Sequence, residues 1–452
     1  MKWSRTLGQS IAVAAAVTVS ACEPESPTTP DSLGPLEPTA LLDLVDPGAA
    51  VPFPEVPASA PCVAGGTAQQ IILPQNYVYS VVATEGPAFP DLPDMNTLNE
   101  GGPHAYRFLY RTHETGSNGA VSVTDLVTGV TSIVAQRADW ERFDGIAWTP
   151  WNTILAAEET SAAALKDPMV PEAVAGLVYE IDPSTGAAEP LPAVGSRAHE
   201  GLRFDKHGNL YGISETGPGY IYKFVPNRRR SLSSGDLYAL RIVQDAGNRT
   251  GAAQWVLLDP AASRVNSLTE AAAKGATGYA RPEDVEIGTS TGNDRRGNDI
   301  LFVAVTGEDR VLAIDLDPPG NSVQAYVTDY VREGLNAPAD FDLPDNLALD
   351  QFGNLYITED PGGTAGSGKA VGDDVWFAPY NAQTGAQSLP IMRFMTISDC
   401  DAEPTGIYVS KTGKTLFVNI QHRGGSDPRD QAVAIQRRSD VRYSVVDAMS
   451  EF

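Results

Sequence analysis

Acidic side chains recur at one place in a repeated pattern of this sequence. Asp144 with Glu158-Glu159, Glu200 with Glu215, and Asp345 with Glu359-Asp360 each bracket a short apolar stretch that turns at its middle. Glu283, Asp284 and Glu403 head similar stretches. A lone carboxylate in such a place caps a turn or faces water. Several gathered at one spot cannot all stay ionised without compensating positive charge. Donors that are all oxygen suit hard cations, so Ca²⁺ or Mg²⁺ is the expected compensation.

The elements that must position these acids are short hairpins. Residues 200–215, 344–359 and 405–419 follow one template of strand, tight turn and strand, with looser copies over 144–159 and 283–306. Asp205-Lys206-His207-Gly208-Asn209 and Asp350-Gln351-Phe352-Gly353-Asn354 suit a type I turn followed by a left-handed glycine. In a hairpin, the head of the first strand and the tail of the second share one end, which is where the acids fall. Repeated antiparallel hairpins predict an all-β fold, a single β-propeller of about six blades with five or seven left open, with loop insertions. The strands expected along the chain include 70–84, 105–114, 121–134, 177–181, 220–225, 237–243 and 254–258. One short helix is expected over 267–274.

The 452 residues carry a formal net charge of −25. This excess argues against nucleic acid as a partner, because phosphate backbones would be repelled. A small anionic substrate is compatible where bound metal reverses the local field.

The start of the chain reads as an export signal. Lys2 and Arg5 precede an apolar run over 11–19, too short to span a membrane as a helix. It ends Val19-Ser20-Ala21-Cys22, the pattern of a bacterial lipoprotein cleavage site, which would make Cys22 the lipidated first residue. The expected division is a signal peptide over 1–21, a Pro-rich tether over 22–61 and the propeller over 62–452. The mature protein would then be an extracytoplasmic monomer, on the outer membrane or facing the periplasm, and touch membrane only through its lipid. Cys62 and Cys400 remain, and an oxidising compartment permits but does not prove a bridge between them.

An ordered series of motifs carries a resemblance. It comprises Thr149-Pro150-Trp151 with Glu158-Glu159, His199-Glu200-Gly201 and Arg281-Pro282-Glu283-Asp284-Val285-Glu286. Pro344-Asp345-Asn346-Leu347-Ala348, Glu403-Pro404-Thr405-Gly406 and 416–422 complete it. From about residue 70 to 425 the chain resembles the PhoX-type alkaline phosphatases of exported bacterial proteins. The resemblance implies a six-bladed propeller with calcium and iron at one mouth, hydrolysing phosphate esters. Matched residue by residue, it implies Glu158, Glu159, Glu200, Glu283, Glu286 and Glu403 as metal ligands. It also implies Arg281 as the guanidinium that grips substrate phosphate, a role its planar fork suits. Ala157 stands where the family has an iron-ligating Cys, so calcium is carried over and iron is not.

The function expected is metal-assisted hydrolysis of a small phosphate ester. A calcium-stabilised propeller that binds a ligand or partner without turnover remains an alternative, as does a calcium-dependent lactonase or esterase. Several attractive motifs carry less. Residues 363–370 mimic a P-loop but lack its final Ser or Thr. Residues 293–299 read as a hairpin turn before a calcium loop. Arg228-Arg229-Arg230 reads as a solvated loop, Glu114 as a weak ligand candidate, and His422 as either channel-lining or packed.

Overall fold

The computed structural model describes residues 53–62, 71–288, 299–316, 324–360, 371–381, 387–425 and 427–440. The signal, Cys22, most of the tether, the P-loop mimic and most of the 293–299 turn lie outside the described residues. Two short strands come first, β1 (Ile71–Ile72) and β2 (Tyr77–Thr84). β3 (Pro93–Leu98), β4 (Phe108–His113), β5 (Ala120–Asp125) and β6 (Val130–Gln136) make one antiparallel sheet. β7 (Phe143–Trp148), β8 (Ile154–Glu158), β9 (Val178–Ile181) and β10 (Ala188–Pro190) make the next.

β11 (Leu202–Phe204), β12 (Leu210–Ile213), β13 (Ile221–Arg228), β14 (Ser231–Gly247) and β15 (Thr250–Leu257) lead into helix α1 (Pro260–Ala273). After it come β16 (Pro282–Gly288), β17 (Ile300–Val305), β18 (Arg310–Asp315) and β19 (Ala325–Arg332). β15 lies between β14 and β19 and joins both runs into one nine-stranded sheet. β20 (Pro344–Leu349), β21 (Leu355–Glu359), β22 (Asp374–Ala378) and β23 (Met392–Ile397) form a sheet edged by β1. β24 (Glu403–Val409), β25 (Thr415–Gln421) and β26 (Gln431–Arg437) form a sheet completed by β2. The fold is all-β and propeller-like, with one helix of more than a single turn among the described residues.

The first strands of these meanders touch in a closed cycle: β3 on β7, β7 on β11, β11 on β16, β16 on β20, β20 on β24 and β24 back on β3. Small residues allow this approach. A Cβ on Gly145 would lie 2.0 Å from the Glu200 carbonyl oxygen, and one on Gly201 would lie 1.8 Å from Asp284 Oδ1. Both glycines directly follow an acid of the template, so the sequence that carries the carboxylate also lets the next strand pass beside it. Hydroxyls stitch the ring as well: Thr306 donates to the Pro344 carbonyl (2.7 Å) and Thr405 to that of Pro93 (3.0 Å).

The turns form as the sequence predicts. Asp205 Oδ1 accepts from the backbone of His207 and Asn209, and Asp350 Oδ1 from that of Phe352 and Asn354. Gly208 and Gly353 take φ of +85° and +84°, values that cost glycine little.

Three expectations need correction. The helix starts at Pro260, earlier than 267. Asp259 caps it by accepting from Ala262, proline fills its first turn, and non-helical Asn266 kinks it. The strand Pro93–Leu98 was not expected at all. The tether does not reach residue 61, because residues 53–61 pack against the β20–β23 sheet. Phe53 is 3% exposed and meets Tyr77, Phe377 and Phe394 edge-on. Val56 donates to the Arg393 carbonyl, Ala60 to Thr396 Oγ1 and Ser59 to Asp374. Burying an aromatic ring stabilises this segment in a way a polar tether could not. Cys62 and Cys400 form a disulfide just beyond it.

Candidate metal centre at one mouth of the ring

Each inner strand opens on an acid, and the tail of its hairpin partner brings another polar group to the same end. Asp94, Asp144, Glu200, Glu283, Asp345 and Glu403 stand at the heads of β3, β7, β11, β16, β20 and β24. Glu114, Glu159, Glu215, Thr306, Asp360 and His422 follow β4, β8, β12, β17, β21 and β25. The backbone of this second set is fixed by repeated bonds. Glu114 N–H donates to the Leu92 carbonyl, Glu159 to Arg142, Thr306 to Arg281 and Asp360 to Leu343. Those four acceptors precede an inner strand, and all are left-handed, with φ of +53°, +45°, +51° and +44°.

The carboxylates crowd together. Oxygens of Glu159, Glu200 and Glu215 fall within 4.8 Å of one another, as do those of Glu200, Glu283 and Asp345. Glu200 belongs to both trios. Burial, and then the charges of neighbouring acids, hold Asp94, Asp144, Glu159, Glu200, Asp345 and Glu403 well above the ordinary carboxylate range. Burial first, with Glu215 adding, pushes Glu283 up to about 8. Asp144 Oδ1 and Glu200 Oε2 are buried without a hydrogen-bond partner. Unpaired buried carboxylate oxygens are expensive, and they suit a divalent cation that would pair them.

Of the residues predicted from sequence, Glu159, Glu200, Glu283, Glu403 and Arg281 meet at this mouth. Arg281 spans it, with Nε 2.6 Å from Glu215 and 2.8 Å from Glu283, and Nη2 2.6 Å from Asp360. Its side chain is 40% exposed. Glu158 and Glu286 do not join. Glu158 points the other way and accepts from the backbone of Glu141 (3.1 Å) and Leu177 (3.0 Å). Glu286 pairs with Arg203 at 3.1 Å beside a cavity of about 720 Å³ at the far ends of the inner strands. Ala157 packs with Leu155, Val178 and Leu202 in the apolar core. Glu359, noted as a hairpin-end acid, is a structural acceptor for Trp376 Nε1 and the backbone of Asp342 and Asp374.

Asp94 was missed, and its strand gave little signal. Pro-Asp-Met-Asn-Thr-Leu is buried at every position, so no alternation marks it. Its one cue is Pro93-Asp94, the dipeptide repeated at Pro344-Asp345 and, as Pro-Glu, at Pro282-Glu283.

The sequence model of the family described as alkaline phosphatase PhoX matches residues 146–325 and 320–424. No curated protein matches the chain. Among solved structures, PhoX of Pseudomonas fluorescens in complex with vanadate, a transition state analogue, is similar over 86% of this chain and 98% of its own, at 20% identity and a TM-score of 0.62. That likeness is one of fold. A streptogramin B lyase matches at 13% identity and a TM-score of 0.40, covering 80% of this chain and 98% of its own. A Dyadobacter fermentans protein of unknown function matches at 9% and 0.48, covering 80% and 100%.

Proposed function

This chain belongs to the alkaline phosphatase PhoX family, and we propose that it is an exported, calcium-dependent hydrolase of phosphate monoesters working at the acidic mouth. The observation that carries the reading is the convergence of Glu159, Glu200, Glu215, Glu283 and Asp345 into two overlapping trios with Arg281 across them. Asp144 and Glu403 add buried carboxylates to the same pool. The vanadate held by the Pseudomonas fluorescens relative supports a phosphoryl group as the substrate's reacting part. We count the ring as six blades, taking the nine-stranded sheet as two blades joined through β15.

Ca²⁺ held by these oxygens would neutralise the phosphate and stabilise charge developing on its oxygens. The two trios offer carboxylate oxygens alone and the position matched to an iron ligand is a core alanine, which supports calcium over iron. Arg281 keeps its guanidinium in the mouth through Glu215 and Asp360 and offers its remaining donors to a non-bridging oxygen. The walls bury the acids at the heads of the strands and exclude bulk water from them. The lipoprotein signal is part of this reading, with Cys22 as the anchored residue.

The test is turnover of an aryl phosphate by the purified chain, beside elemental analysis of the undialysed protein. We expect calcium to co-purify, activity to vanish in chelator and return with calcium, and Arg281→Gln to lose at least about 100-fold in kcat/KM. A folded, calcium-loaded protein with no turnover would reject the reading.

A further inference from the structure

Arg281 has a structural twin. Arg142 directly precedes β7 as Arg281 directly precedes β16, and both take the left-handed conformation, at φ +45° and +51°. The N–H of Arg142 donates to the Thr115 carbonyl at 2.8 Å, and that of Arg281 to the Thr216 carbonyl at 3.0 Å. Thr115 and Thr216 each follow an acid of the mouth, Glu114 and Glu215. The Arg142 carbonyl accepts from Glu159, the Arg281 carbonyl from Thr306. The backbone therefore presents two arginines at the mouth by the same device, one against Glu114 and the other against Glu215.

Their side chains are used differently. Arg281 has short ion pairs to three carboxylates. Arg142 is 55% exposed, and its ion pair, with Glu114, is long at 3.8 Å. A guanidinium kept on a strained backbone at the rim, with one loose partner, is available to an incoming anion.

We propose that Arg142 is a second phosphate-binding cation of this site, gripping the substrate from the Glu159 side as Arg281 grips it from the Glu215 side. This rests on the phosphatase reading and adds a second phosphate-gripping residue to it. Two guanidinium forks fit a phosphoryl group with three free oxygens, so the pair selects dianionic monoesters over diesters.

The experiment compares the wild-type calcium-loaded protein with Arg142→Gln, Arg142→Lys, Arg281→Gln and, as a charge control, Arg264→Gln. Arg264 lies on helix α1 and pairs with Glu172, both of them exposed. The readouts are inorganic phosphate binding by calorimetry, KM and kcat on an aryl monoester and its diester, and thermal unfolding. Arg142→Gln is expected to weaken phosphate binding and raise monoester KM by about tenfold, to leave diester KM within about twofold and to unfold normally. Arg142→Lys recovers part of the loss. Unchanged phosphate affinity in Arg142→Gln beside a loss in Arg281→Gln overturns the role of Arg142 and leaves the phosphatase reading standing. An equal loss in Arg264→Gln also overturns it, by making the effect one of overall charge. A wild-type protein that neither binds phosphate nor turns over monoester removes both readings.

Discussion

Stripping divalent cations from the acidic mouth should make the protein lose stability as the pH rises, opposite to the usual response of paired carboxylates. Glu283 is 1% exposed and titrates at about 8 when no metal is present, against an ordinary 4.5. The folded protein therefore holds a proton here that the unfolded chain releases. Its contribution is fully present below about pH 4.5 and is lost as the pH rises to about 8 and beyond. At 1.36 kcal/mol per unit, that is about 5 kcal/mol for this one group. Asp284, driven to about 7 by burial, loses about 4 kcal/mol over a similar window by the same arithmetic. Urea unfolding midpoints in chelator should fall steadily between pH 5 and 8. Calcium at 100 times its Kd should restore about 2.7 kcal/mol per site at the upper end. Glu283→Gln should make the chelator curve less steep, leave the stripped protein more stable than wild type at pH 8, and forfeit much of the gain from calcium. Midpoints that are level or rising in chelator, or a slope untouched by calcium, would refute the reasoning.

Two further outcomes separate ligands from scaffold. Glu158→Ala leaves two buried backbone donors without an acceptor and should cost about 1–3 kcal/mol for each in urea unfolding, with calcium still bound. Glu159→Ala should do the reverse, sparing the stripped fold while calcium titration shows weakened binding. Phe53→Ala should cost about 3–5 kcal/mol in the same assay, and a chain begun at residue 62 should show a deficit at least as large.

Much of this was legible because one sequence feature performs two tasks. The Asp-x-x-Gly-Asn turn fixes both hairpin length and register, so the acids at its two ends fall at one mouth by geometry alone. The legibility fails where the polarity contrast fails. β8 reads Ile-Leu-Ala-Ala-Glu and is buried throughout, so nothing local says that Glu158 turns toward backbone donors while Glu159 turns inward. β16 carries Glu283, Asp284 and Glu286 in one run, and its length along the channel takes Glu286 to the opposite end, where Arg203 waits from β11. The packing of residues 53–61 was hidden by composition, because a Pro-rich stretch reads as extended whether or not one phenylalanine in it finds a pocket. Arg281's three carboxylate partners come from three different hairpins and leave no mark in local sequence.

The circle of sheets is fastened by early strands that pair with late ones. Tyr77 of β2 pairs with Arg437 of β26, and Ile71 of β1 with Ile397 of β23. The ring's last seam can therefore close only after β26 has been synthesised. A nonsense codon shortly after β23 would not trim a tail. It would delete Glu403, leave β2 without β26 to pair with and remove β24 from beside β3, so such truncations should be cleared by proteases rather than persist as shortened chains.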